Sequence, residues 1–406
     1  MNTAPHPALN PASHPAFAPD AQRIAFPAGI LQLTIDAGND ALDDLLGFAA
    51  RANPRRAFLF LSKVLGKHYP ARPAAMEAIH RRLAAAVTMD GADGADDGPV
   101  VFIGMAETAT GLGQGIYEAW RRMHGDAESL FLHTTRYRIE GHAPLAFEET
   151  HSHAPRVFLY PPGSARFAAA RQAVLIDDEL STGNTFVNLV QVLRRIMPRL
   201  ARVHLAAICD FMGETRRAGL GQRMRLPCQT HAALRGHWHF ENKNGGPAVA
   251  TAAAQCEEGR EAHIDDQGHG RLGRETCLTV PDALADRLAA ERTDGPTLAL
   301  GTGEFMHAAF VLARALAARG VDVFVQATTR SPILVWGDVH HALPMPDTYG
   351  EGVPNYLYNV RPGQYARVLV CHETRPGPAL FELARLVGGR LIHFQSGDHA
   401  EEIPLR

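Results

Sequence analysis

From about residue 56 onward, short apolar runs alternate with amphipathic stretches, the pattern of a mostly parallel sheet covered by helices. Arg56 to Leu61 predicts a strand, and after Pro73 the residues Met76, Ile79, Leu83 and Val87 share one helical face. Val100 to Gly104 predicts a second strand, followed by a polar turn and a helix through Trp120. Residues 130 to 160 read as short strands with a polar excursion. Ala173 to Ile176 is a wholly apolar strand running into Asp177 and Asp178, and Phe186, Leu189, Val190, Leu193 and Ile196 mark the face of the next helix. Val203 to Cys209 predicts another strand. Between Gly213 and Pro296 the pattern weakens. It then resumes with a strand at Thr297 to Gly301, a helix from Glu304 to Arg319 closed by Gly320, and a strand at Val321 to Gln326. Arg367 to Cys371 and Leu391 to Phe394 predict strands around a helix from Pro378 to Val387.

The fold class expected is therefore α/β, with a larger parallel sheet flanked by helices and a second, smaller α/β domain. At 406 residues the chain is long for one core. The expected division is a flexible tail over 1–21, a first domain over 22–258 and a second over 259–406, with the boundary inside 256–268. Residues 90 to 98, acidic and rich in glycine, predict an exposed loop.

Composition narrows the classes of function. Hydrophobic residues make up 46% and charged residues 20%, ordinary for a chain that buries a core. A formal net charge of -3, with no helix-turn-helix segment and no concentrated basic patch, argues against a nucleic-acid partner. No run of about 18 apolar residues occurs, so no membrane partner is expected. Met1 to Asp20 lacks the apolar core of a signal peptide, and the five cysteines form no CxxC pair. Both observations point to a cytoplasmic protein with reduced thiols.

The strongest chemical signal is the run Ala173-Val-Leu-Ile-Asp-Asp-Glu-Leu-Ser-Thr-Gly-Asn-Thr185. A buried strand delivers two carboxylates to the carboxyl edge of a sheet, where open α/β folds bind ligands. Ser181, Thr182, Gly183, Asn184 and Thr185 then offer hydroxyls and backbone N–H groups at a helix N-terminus, suited to a phosphate. Carboxylates do not hold phosphate, so Asp177 and Asp178 are expected to face hydroxyl donors. Thr110, Gly111 and Gly113 lie in a second glycine-containing turn after a strand, which lets backbone approach an anion closely.

This run resembles the fingerprint of the type I phosphoribosyltransferases: four apolar residues, two acids, two variable positions and a Thr-Gly-x-Thr type loop. The resemblance implies a small-molecule substrate, phosphoribosyl pyrophosphate (PRPP), with Asp177 and Asp178 at the ribose hydroxyls and its Mg²⁺. It also implies the 5′-phosphate on Ser181 to Thr185. Glu107, Thr108, Ala109, Thr110 and Gly111 occupy the place of the pyrophosphate loop. Arg136, Arg138, His151 and His153 fall in the segment that closes over the reacting centre, as candidate catalytic residues. Lys63 and Lys67 are candidates to reach the phosphates. The implied reaction is displacement of Mg²⁺-bound pyrophosphate at the anomeric carbon by an acceptor such as a nucleobase. A homodimer is the family's habit.

Ser181 stands where the hypoxanthine-guanine branch carries an Asp, and Met1-Asn2 supplies no N-terminal cysteine of the amidotransferase branch. The later segments Gly301-Thr-Gly-Glu-Phe305, Thr328-Thr-Arg-Ser-Pro332 and Gly352-Val-Pro-Asn-Tyr-Leu-Tyr358 resemble the TRSP domain. That domain is fused to a phosphoribosyltransferase in proteins of tellurium-resistance-type bacterial gene clusters, with an implied role in making a nucleoside-like metabolite. Thr302, Gly303, Glu304, Arg330 and Ser331 are expected to form a second anion site there, since Thr328 to Pro332 gives Arg330 no acidic neighbour. Two alternatives use the same motif: a PRPP-sensing regulator without catalysis, and a PRPP synthetase-like enzyme.

Overall fold

The computed structural model describes residues 21–38, 41–51, 56–88, 98–125, 127–148, 156–243, 263–264 and 268–405. Apolar runs buried on both faces form the centre of the first sheet. Its strand order among the described residues is Gln22–Phe26, Gly29–Ala37, Cys228–Asn242, Arg202–Asp210, Gln172–Leu180, Val100–Gly104, Ser129–His133. The last five run parallel, and Gly29–Ala37 joins them antiparallel. A continuous hydrophobic run is what a parallel strand covered by helices requires. The alternating, half-buried strand Cys228–Asn242 lacks that signature, which is why it lay hidden in the weak stretch.

The helix Pro73–Ala86 buries Met76, Ile79 and Leu83, and Asn184–Ile196 buries Phe186, Leu189, Val190 and Leu193, the faces that periodicity predicts. Helix Thr110–His124 packs very close to the sheet. A Cβ on Gly113 would stand 2.7 Å from the Gly104 Cα, so only glycine permits this approach.

The second sheet has the order Val323–Ala327, Thr297–Gly301, Arg367–His372, Gly389–Phe394, Ala400–Ile403, parallel except for the last pair. Its helix His307–Ala317 starts three residues later than periodicity predicts, because Thr302 to Phe305 make a tight bridge-closed turn first. Past the expected boundary, the chain still serves the first sheet: Arg274 exchanges both backbone hydrogen bonds with Phe131, at 2.7 and 2.8 Å. The two sheets therefore meet over a broad seam. Residues that follow the strand ends Gly104 and His133 touch residues that follow Gly301 and Ala327.

Candidate functional site

Strand Gln172–Leu180 pairs with Val100–Gly104 only as far as Ile176, but with Arg202–Asp210 as far as Leu180. Asp177, Asp178 and Glu179 thus lie on the strand itself, half-buried, beside a neighbour that has already turned away. Asp177 Oδ1 accepts the Asp178 N–H at 2.9 Å. Burial pushes the Asp178 carboxyl above its ordinary value, the state of a group that gains from a hydroxyl donor or a cation. Glu179 is taken by Arg56, whose Nη2 lies 3.0 and 2.9 Å from its two oxygens.

The turn that follows brings Ser181 to Thr185 to the start of the 13-residue helix Asn184–Ile196. Gly183 sits at φ 72, and a Cβ there would lie 2.8 Å from Leu220 Cδ2. Arg223, from the short helix Leu220–Met224, donates to Thr182 O at 3.1 Å and to Asn184 Oδ1. A cation beside a helix N-terminus with a hydroxyl-rich turn is a chemical setting for phosphate. Sequence reading missed Arg223, which lies about 40 residues away in an unpatterned stretch.

The loop after Val100–Gly104 carries a chain of buried ions. The Ala106–Glu107 peptide is cis, and Ala106 donates to Thr134 Oγ1 at 2.8 Å. Glu107 Oε1 lies 2.6 Å from Lys67 Nζ, and Arg330 Nε donates to Glu107 Oε2 at 3.2 Å. Lys67 also donates to Gly303 O at 2.7 Å, and Arg330 Nη1 reaches both Glu351 oxygens at 2.7 Å. Burial pushes the Glu107 carboxyl up, but Lys67 and Arg330 outweigh it and hold it well below the ordinary range. Burial raises Glu351 to about 7 against the opposing pull of Arg330. Burial also lowers Lys67. Lys63 does not join this group, for its Nζ donates to Asp43 O at 2.8 Å.

Two further expectations are corrected here. Arg330 has carboxylate partners, Glu107 and Glu351, supplied from other elements, so its lack of an acidic neighbour in sequence did not leave it open to an anion. The nest expected at Thr302 and Gly303 is also spent, because the Gly303 N–H donates to Thr328 Oγ1 at 2.9 Å. Glu304 precedes its helix and accepts from Thr135 Oγ1 at 2.6 Å and from the Arg136 N–H at 2.8 Å. Ser331 closes a local turn, its N–H 3.2 Å from Thr329 Oγ1.

Around the expected closing segment, Thr134 and Thr135 are buried and donate to Gly104 O and Phe158 O, at 2.9 Å each. The Arg138 guanidinium lies over the Phe158 ring, 4.3 Å from its centroid. Leu145–Glu148 and Arg156–Leu159 pair as a hairpin, and His151 and His153 lie between them, outside the described residues. Behind Glu304 stands a pair that sequence reading did not signal. Arg271 grips Glu373 with Nη1 and Nη2, and the Tyr349 hydroxyl donates to the same carboxylate at 2.9 Å.

No group of three or more acidic, histidine or cysteine side chains able to cage a metal occurs among the described residues. Two adjacent carboxylates suit Mg²⁺ that keeps water and phosphate ligands rather than an all-protein cage. No helix among the described residues is long and apolar enough to cross a membrane.

Comparison with solved structures finds adenine phosphoribosyltransferases from Giardia lamblia (15% identity, TM-score 0.33, 50% of this chain and 98% of that one) and Trypanosoma brucei (15%, 0.34, 52% and 86%). Orotate phosphoribosyltransferase from Francisella tularensis is similar at 16% identity and TM-score 0.29, over 48% of this chain and 83% of that one. At these scores the likeness decides nothing about this chain. No curated protein matches. Family models do match: residues 45–237 fit a phosphoribosyl transferase, and 268–387 fit the TRSP domain that lies C-terminal to it. The chain therefore joins a phosphoribosyltransferase domain, within residues 45–237, to a C-terminal TRSP domain, within residues 268–387.

Proposed function

We propose that the chain transfers the phosphoribosyl group of PRPP to a nucleobase-like nitrogen acceptor in the cytoplasm, in the making of a nucleoside-like metabolite. The observation that carries this reading is the pair Asp177 and Asp178, projecting beyond Gly104 directly before a turn suited to phosphate. Asp177 and Asp178 accept hydrogen bonds from the ribose hydroxyls. Ser181 to Thr185 hold the 5′-phosphate with backbone N–H groups and hydroxyls, with Arg223 alongside. Glu107 to Gly111 flank the pyrophosphate. Arg136 and Arg138, with His151 and His153, cover the reacting centre and balance charge as pyrophosphate departs.

The same two carboxylates are the residues that would hold Mg²⁺, which when bound neutralises charge on the pyrophosphate. The protein's own contribution is position and water exclusion around an anomeric carbon that becomes cationic. The test is to incubate the purified protein with PRPP, Mg²⁺ and a nucleobase panel. Pyrophosphate release coupled to a new ribosyl phosphate by mass supports transfer; tight PRPP binding with no turnover on any acceptor, or on metabolite extract, would leave a sensor instead.

A further inference from the structure

We propose that Arg330, reaching across the seam to Glu107, positions the loop that flanks pyrophosphate, so that the TRSP domain holds the transfer site in its working shape. This inference rests on the reading of residues 107–111 given above. The loop's backbone is tied to its own sheet by Met105 N–H to Ile176 O at 2.9 Å and by Ala106 N–H to Thr134 Oγ1 at 2.8 Å, and it closes on itself through Ala109 N–H to Met105 O at 2.9 Å. Its side chains Glu107 and Thr110 are fastened by the second domain or by Lys67, which the second domain holds. Lys67 binds Glu107 and Gly303 O, Arg330 binds Glu107, and Thr110 Oγ1 donates to Glu304 O at 2.7 Å.

The charges explain why such a fastening is needed. Glu107 places a largely buried carboxylate, with 11% of its side chain exposed, in a loop meant to sit beside a polyanion. Unneutralised, it would repel pyrophosphate through a low-dielectric medium. Lys67 and Arg330 cancel that charge and leave one positive charge over, which Glu351 in turn offsets when ionised. Arginine suits the post because its Nε serves Glu107 while its Nη1 serves Glu351, two directions that a lysine ammonium on a flexible stem does not fix.

Glu351 is faced by Arg330, Glu304, Asp347 and the Tyr137 hydroxyl. With its carboxyl at about 7, it is partly neutral near neutrality, which favours the net positive state of the cluster at lower pH. PRPP affinity should therefore carry a component that weakens as pH rises through about 7, beyond the titration of PRPP itself.

The experiment measures PRPP binding by calorimetry with Mg²⁺ for the full chain and for Arg330→Gln, Arg330→Lys and Glu351→Gln, together with hydrogen exchange of residues 105–110. For Arg330→Gln the dissociation constant should rise about tenfold or more, the scale of losing one partner of a buried charge pair. Arg330→Lys should recover part of that loss. Exchange should increase in 105–110 and stay unchanged in 172–176, a readout that general destabilisation would not give. Glu351→Gln, which keeps the bond from Arg330 to Glu107, should bind PRPP with a flatter pH profile than the wild type. Should Arg330→Gln fail to fold, that profile decides: curves parallel to the wild type would overturn the proposal. Wild-type binding that persists unchanged in every variant, with unchanged exchange, overturns the positioning role alone. A wild-type chain that does not bind PRPP overturns the transfer reading as well.

Discussion

Arg271 meets Glu373 through two parallel hydrogen bonds of 2.6 and 2.7 Å, and only 1% and 2% of the two side chains are exposed. Arg271 belongs to the segment that edges the first sheet through Arg274, whereas Glu373 follows a strand of the second. The pair is a latch across the seam. Burial pushes the Glu373 carboxyl up, but the charge and hydrogen bonds of Arg271 outweigh it and hold it at about 2.

Removing one half of this latch leaves the other charge buried. Glu373→Ala should therefore lower stability by about 3–5 kcal/mol. The double change Arg271→Met with Glu373→Leu should recover most of that loss, since no uncompensated ion remains. Chemical denaturation checks both. A Glu373→Ala chain as stable as the wild type would show that the seam does not depend on the pair.

A second contact sets an acid limit. Glu118 is fully buried and accepts from Leu278 N–H and from the His307 ring, each at 2.9 Å. Burial raises its carboxyl, yet His307 and the backbone donor outweigh that and bring it from 4.5 to about 2. A folded value below the unfolded one means that the unfolded chain binds the proton first as pH falls. The stability that Glu118 contributes is thus present above 4.5 and is lost as pH drops toward about 2. Unfolding measured at about pH 5 and about pH 3 should show a smaller difference in Glu118→Gln than in the wild type.

At the acidic strand end, Asp177→Asn with Asp178→Asn should leave the fold intact, because both side chains are only half-buried. PRPP binding should weaken by roughly 1.5–3 kcal/mol for each charge-assisted hydrogen bond lost. Calorimetry measures this, and wild-type affinity in the double variant would remove the PRPP assignment from these residues.

The phosphate turn depends on one backbone conformation. Gly183→Ala places a Cβ at φ 72 and within 2.8 Å of Leu220 Cδ2. The left-handed conformation alone costs roughly 1–2 kcal/mol for an L-residue. Stability should fall by that amount, and affinity for PRPP should fall with it as the turn's N–H groups shift. An unchanged affinity would show that the turn does not hold the 5′-phosphate.

What the sequence determined by itself is the apolar strands and the helices at the centre of both sheets, though not the partly exposed strands Gln22–Phe26, Gly29–Ala37 and Cys228–Asn242, and the location of the strongest motif. Hydrophobic runs such as Val100–Gly104 and Thr297–Gly301 are local signals, and burial on both faces of a parallel sheet requires them. The acidic pair followed by a hydroxyl-rich turn was equally legible, because all of its chemistry lies within nine consecutive residues, 177 to 185. Tertiary structure decided which charges meet. Arg330 and Glu107 are 223 positions apart, Arg271 and Glu373 are 102 apart, and Arg223 reaches Asn184 from 39 residues away. Periodicity reports only which face of its own element a residue occupies. Whether a guanidinium stands open to an anion or is already held by a carboxylate depends on where a distant turn arrives. Reading Thr328 to Pro332 alone therefore left Arg330 open, and the meeting of the two sheet edges gave it to Glu107 and Glu351.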